Sequence, residues 1–138
     1  MTSDRMISTY FETGTLPDLP RDHFIDGVFV AADSGNRMES FDAGTGEAFA
    51  EFAAGTAADV DHAVASAAKG FEVWRKTPPA RRCAILNEAA RLMRAEAHWM
   101  TVVESLDSGK TLAEAQGDVA GSARLFEYYA GAADKLDG

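Results

Sequence analysis

The stretch from Pro79 to Lys110 carries two apolar stripes that one straight helix cannot serve. Ile85, Leu86, Ala89, Leu92 and Met93 recur at helical spacing, which predicts an amphipathic helix with one buried face. Thr77-Pro78-Pro79 marks its start, because proline is tolerated in a first turn and turns the residue before it away from helix. Continued unbroken, that helix would put Glu96 in the middle of its own apolar face. Beyond it a second stripe begins, Trp99, Val102, Val103 and Leu106, rotated by roughly a quarter turn at about 100° per residue. The spacing therefore predicts a break between Arg94 and His98 and a second helix closed by a left-handed cap at Gly109.

Composition narrows what such a helix pair can belong to. At 138 residues the chain is one domain's worth and long enough to bury a core. Thirteen Lys and Arg against 22 Asp and Glu give a net charge of −9. That balance argues against nucleic acid, whose phosphates require clustered basic side chains, and against an anionic membrane surface. No apolar run is long enough to span a bilayer, and Met1 to Met6 leads into no apolar core of signal-peptide length. A single cysteine excludes an internal disulfide, and the simplest compartment is the cytoplasm.

Taken in order, residues 1 to 22 hold Gly14, Pro17 and Pro20 among polar residues and read as an arm or tail. Phe24-Ile25 and Val28-Phe29-Val30 flank Asp26-Gly27, a dipeptide suited to a type I′ hairpin turn with positive φ at both positions. Asp33, Ser34, Gly35 and Asn36 form a loop. Met38 to Phe41 and Glu47 to Ala53 then flank Gly44-Thr45-Gly46 as a second strand pair. Thr56 caps the first long helix, answered by Asp59, and Val60, Val64, Ala67, Ala68, Phe71 and Trp74 form its stripe. A last helix carries Leu112, Ala115, Val119, Phe126, Tyr129, Ala130 and Ala133 to about Leu136. Inside it Gly117 and Gly121, four apart, leave a groove that either another element or a ligand can fill.

This order of signals resembles the N-terminal segment of the NAD(P)-dependent aldehyde dehydrogenase superfamily. The matching stretches are Phe24 to Val30, Thr45-Gly46-Glu47, Gly55 to Asp61 and Phe71 to Trp74. They continue with Thr77 to Arg82, Glu104 to Lys110 and Tyr128 to Lys135. Each is short; their order and spacing over residues 23 to 138 carry the resemblance. Asp42-Ala43-Gly44 departs from the family's usual Asn-Pro-Ala, and Thr111 stands where proline is common.

The resemblance implies an α/β fold, with two small β-hairpins followed by about four α-helices that flank a Rossmann-like sheet absent from this chain. Residues 23–138 would be an incomplete N-terminal segment of the dinucleotide-binding domain. Family members are several times longer and oxidise aldehydes through a cysteine thiolate, hydride transfer to NAD or NADP, and a glutamate-aided hydrolysis. This chain contains no counterpart of that cysteine, that glutamate or the cofactor strands, so inactivity is expected of it alone. The expected partners are the remainder of an aldehyde dehydrogenase chain or homologous subunits, in a homo-oligomer when complete. A rival of another class is a free-standing helical interaction or regulatory module that binds a full-length enzyme.

Candidate side chains are few. Cys83 sits beside Arg81 and Arg82 at a helix start, which favours thiolate, yet no histidine is near it in sequence and an inert packed thiol is the simpler reading. His23, His62 and His98 share no ligand spacing. The resemblance implies two sites: a monovalent cation, K⁺ or Na⁺, held by the carbonyls of Ser40 and Phe41 with the Asp107 carboxylate, and a substrate entrance lined by Gly117 and Gly121. A hard cation does want several oxygens and a formal charge, although Asp107 also suits a turn before Gly109.

Overall fold

The computed structural model describes residues 3–16 and 19–135. Nine elements follow one another: α1 (Ser3–Thr13), β1 (His23–Ile25), β2 (Val28–Val30), β3 (Arg37–Phe41), β4 (Ala48–Ala53), α2 (Ala57–Trp74), α3 (Pro79–Ala95), α4 (Ala97–Ser108) and α5 (Leu112–Ala132). The strands form two separate antiparallel pairs, β1 with β2 and β3 with β4. Asp26 and Gly27 take φ of 55° and 80° in the first turn, as a type I′ hairpin requires. The second pair slips register between Ser40 and Phe41, where Phe49 is the extra residue of a bulge in β4.

The helical half is organised as the sequence stripes require. One non-helical residue, Glu96, ends α3 and starts α4 (φ −102°, ψ 9°). Its carboxylate accepts from the Trp99 indole at 2.7 Å, so the polar residue that would have broken an apolar stripe instead braces the corner. Gly109 closes α4 in the left-handed region at φ 73°. α5 then returns along α3 and α4 and ends at Ala132, while Leu136, its expected end, lies outside the described residues. The seam is built from small side chains: Ala90, Ala115 and Ala123 are fully buried, with Val102, Val119 and Ala130 beside them. Alanines let backbones approach closely, which explains why so slim a core holds three helices together.

One expectation needs correction. Residues 3–13 are not a tail but a helix. Ile7 and Tyr10 face inward, the Tyr10 hydroxyl donates to Asp42 Oδ2 at 3.0 Å, and α1 lies on α4. Leu16, the largest fully buried side chain described, follows, its amide bonded to the Phe49 carbonyl on β4. Pro17 and Asp18 lie outside the described residues.

α2 stands apart from the other helices. Its start is as expected, a reciprocal capping box between Thr56 and Asp59. Its apolar stripe, however, is not covered: Val60, Val64 and Phe71 are each about 60% exposed, and no residue of the helix is buried. The face turned to the hairpin is Asp59, Ala63 and Ser66, so α2 presents its apolar side outward. Ile85 and Leu92 on α3, and Leu112 and Tyr129 on α5, are likewise exposed, whereas Leu86, Ala90 and Met93 turn inward.

Candidate functional site

The junction between β3 and the end of α4 is the most closely built polar site. Ser40 Oγ donates to Asp107 Oδ1 at 2.8 Å, and the Ala43 amide bonds the Leu106 carbonyl at 2.9 Å. A Cβ on Gly109 would lie 3.1 Å from that of Ala43, so Gly109 is required both by its positive φ and by the close approach of the turn. The turn is held from within by Asp42. Its buried carboxylate accepts from the Gly44 amide at 2.8 Å and from Tyr10. Those bonds, the Gly44 amide first, hold Asp42 below the usual carboxylate range, while burial and the neighbouring Asp42 push the Tyr10 phenol up.

Of the residues expected to hold a cation, Ser40 and Asp107 are therefore neighbours, joined through the serine hydroxyl and not the expected carbonyl, and Phe41 is the next residue along β3. The expected donor set, two carbonyls and a carboxylate, is oxygen only, and its carboxylate stands at the negative end of α4. That suits a monovalent cation better than a divalent one. No group of three His, Cys, Asp or Glu able to hold a metal ion occurs among the described residues. Asp107 does not act as a turn cap; its side chain is spent on the tie to β3.

Gly117 and Gly121 share an open groove of about 630 Å³, walled by Met93, Met100 and Leu125. A Cβ at either glycine would meet nothing within 4 Å, so no described element of this chain fills the space they leave. Beside the groove Lys110 Nζ bonds Glu104 Oε1 at 2.6 Å and Asp118 Oδ2 at 2.7 Å. These two carboxylates, Asp118 first, push the lysine well above its ordinary range. The lysine thereby ties the end of α4 to the second turn of α5. A sequence signal for this tie existed in Lys110 and Asp118, eight residues apart across a helix start, but only the fold makes them neighbours. A second capping box, Thr111 with Glu114, starts α5 and was legible as Thr-x-x-Glu.

Cys83 is half-buried, and among the described residues its sulfur accepts one hydrogen bond, from the Asn87 amide at 3.3 Å. His23, His62 and His98 lie on three different elements. Neither set assembles a catalytic or metal site.

The model of the aldehyde dehydrogenase family matches residues 29–138. The chain belongs to the aldehyde dehydrogenase family. An aldehyde dehydrogenase of Aspergillus niger is 37% identical over 96% of this chain and 28% of its own length. Among solved structures, the HpcC protein of Thermus thermophilus superposes with a TM-score of 0.86 at 31% identity, over 95% of this chain and 25% of that one. An NAD-dependent aldehyde dehydrogenase of Sinorhizobium meliloti gives 0.81 at 33%, over 86% and 24%. PnpE, solved in complex with nicotinamide adenine dinucleotide, gives 0.82 at 33%, over 87% and 25%. The chain thus spans about a quarter of the length of these relatives and has the fold of an N-terminal segment of the family. No helix among the described residues is long and apolar enough to cross a membrane.

Proposed function

We propose that this chain serves as the N-terminal segment of an NAD(P)-dependent aldehyde dehydrogenase, which oxidises an aldehyde to a carboxylic acid only when the rest of the fold is present. One observation carries the reading: in a chain matching a quarter of its relatives, the long amphipathic helix α2 turns its apolar stripe away from its own body. An exposed apolar face of that length is what a segment shows when its covering layers are elsewhere. Two solved relatives are described as NAD-dependent or NAD-bound, which favours NAD as the cofactor of the assembled enzyme. The reading includes a soluble cytoplasmic homo-oligomer.

Within that enzyme the Ser40 and Phe41 carbonyls with Asp107 hold K⁺ or Na⁺, and the groove at Gly117 and Gly121 forms part of the substrate entrance. The approach of Ser40 to Asp107 supports the first and the unfilled space the second.

The test is complementation. The chain is co-expressed with the Aspergillus niger relative lacking the quarter that matches it, and each part is also assayed alone. NAD-dependent aldehyde oxidation by the pair, with no activity and no NAD binding by the lone chain, is the expected result. An inactive pair, or micromolar NAD binding by the lone chain in calorimetry, overturns the reading. For the cation, Asp107→Ala should abolish the difference in melting temperature between K⁺ and a bulky organic cation in the active pair. A difference that survives the substitution removes Asp107 from the site.

A further inference from the structure

The start of α3 holds a cation without a counter-charge. Arg82 is half-buried, its Nε is shut off from solvent with no hydrogen-bond acceptor, and no carboxylate among the described residues pairs with it. Farther along this helix Arg91 forks onto Glu88 and Arg94 onto Glu127, and Arg81, which also lacks a carboxylate partner, is exposed to water. What sets Arg82 apart from the other unpaired arginines described is that its nitrogen is buried, in a chain of net charge −9. A buried guanidinium nitrogen left without an acceptor is costly, and planar pairing with a carboxylate is the usual remedy.

Arg82 also stands close to the bare stripe of α2. Only residues 75–78 separate the two helices, and that connection is wound tight: the Thr77 amide bonds the Trp74 carbonyl and the Arg82 amide bonds the Pro78 carbonyl. The same end of the molecule therefore offers Val64, Phe71 and Val73, exposed by 60% or more, followed by an arginine whose buried nitrogen lacks an acceptor.

We propose that α2 and the first turn of α3 form a single docking surface for the missing three quarters of an aldehyde dehydrogenase fold. The segment that seats there supplies apolar side chains to Val64 and Phe71 and one carboxylate to Arg82. The assignment rests on the segment reading above. The occupant follows from the chemistry of the surface, a wide apolar stripe ended by a half-buried cation, and from the quarter-length match to solved relatives. A second copy of this chain is the poorer fit, because the acid next to Phe71 on this surface, Glu72, is already held by Arg75 and Lys76 of its own helix end.

The co-expressed pair with the truncated Aspergillus niger relative serves for the test, its dissociation followed on dilution and its backbone amides by hydrogen exchange. Amides of α2 and of residues 79–83 are expected to exchange more slowly in the pair than in the lone chain. Phe71→Asp should weaken the pair roughly 30-fold, and Arg82→Leu about tenfold. Arg82→Lys, which keeps charge without the planar fork, should fall between Arg82→Leu and the unsubstituted chain. A pair that forms with unchanged affinity in both variants, or with protection confined to other elements, overturns the docking surface while leaving the segment reading intact. An unsubstituted chain that neither binds nor complements overturns both. Self-association of the lone chain that Phe71→Asp abolishes, without effect on the pair, assigns the surface to a second copy and overturns the occupant proposed here. Hydrogen exchange on the unsubstituted chain decides the matter even where a variant fails to fold.

Discussion

Two amphipathic helices of nearly equal length behave oppositely in this chain. α3 turns Leu86, Ala90 and Met93 into a seam with α5, whereas α2 buries nothing. Their local signals are equally good; α2 is even the better capped. The difference teaches that a stripe of apolar residues states that a face is to be buried but not by what. Propensity and caps fix that a helix forms, and tertiary partners fix which way it turns.

The contrast predicts where substitution hurts the lone chain. Leu16→Ala should cost about 2–5 kcal/mol in urea unfolding, since it empties the most completely buried large side chain described. Ala123→Leu, forcing bulk into the α3–α5 seam, should cost about 1–3 kcal/mol. Gly109→Ala should cost about 1–2 kcal/mol through its positive φ, with the close Ala43 adding to it. Gly121→Ala should instead gain about 0.5–1 kcal/mol, because the helix improves and nothing is struck. In the complemented pair the same methyl should raise KM for bulky aldehydes, which would sharpen the assignment of the groove. Val64→Ser on α2 should stay within about 0.5 kcal/mol of the unsubstituted chain. A large loss at Val64 would break the comparison by showing that α2 is covered in the lone chain after all.

The smallest expected effect is the dependence on pH, and its sign follows from the shifted groups. Asp42, Asp59, Glu114 and Glu127 all have folded-state values below their ordinary ones. Their contribution is complete above about pH 4–5, the range of unfolded carboxylates, and fades as pH falls through the lowered values. Lys110 is raised, so its contribution is complete below about pH 10 and is lost only as pH climbs past that. Melting temperature should therefore be flat between about pH 5 and 10, and Asp42→Asn should make its acid limb shallower. An unchanged acid limb would remove Asp42 from the groups that hold the turn.

Much of this architecture is legible in the sequence alone. The broken helix at Glu96, the Asp26-Gly27 turn, the Thr56 box and the Gly109 cap are local devices, each encoded within a few neighbouring residues. α1 escapes that reading although Met6, Ile7, Tyr10 and Phe11 stand at helical spacing, because the breakers Gly14, Pro17 and Pro20 follow so closely. The Tyr10–Asp42 and Lys110–Asp118 ties are not legible, since each joins residues that only folding brings together. At the proposed cation site the sequence names the residues but not the bond by which the Ser40 hydroxyl engages Asp107.

The corner at Glu96 has a consequence for how such chains diverge. With a single residue between two helices, inserting or deleting one position there would turn every later side chain of α4 by about 100° and swing Val102 out of its seam. No loop is available to absorb the change. The connection at residues 31–36 tolerates added length far better, being exposed and rich in turn formers apart from the buried Ala32. Length variation among descendants of a common ancestor should therefore collect in that loop, and residues 94–98 should keep one count throughout the lineage.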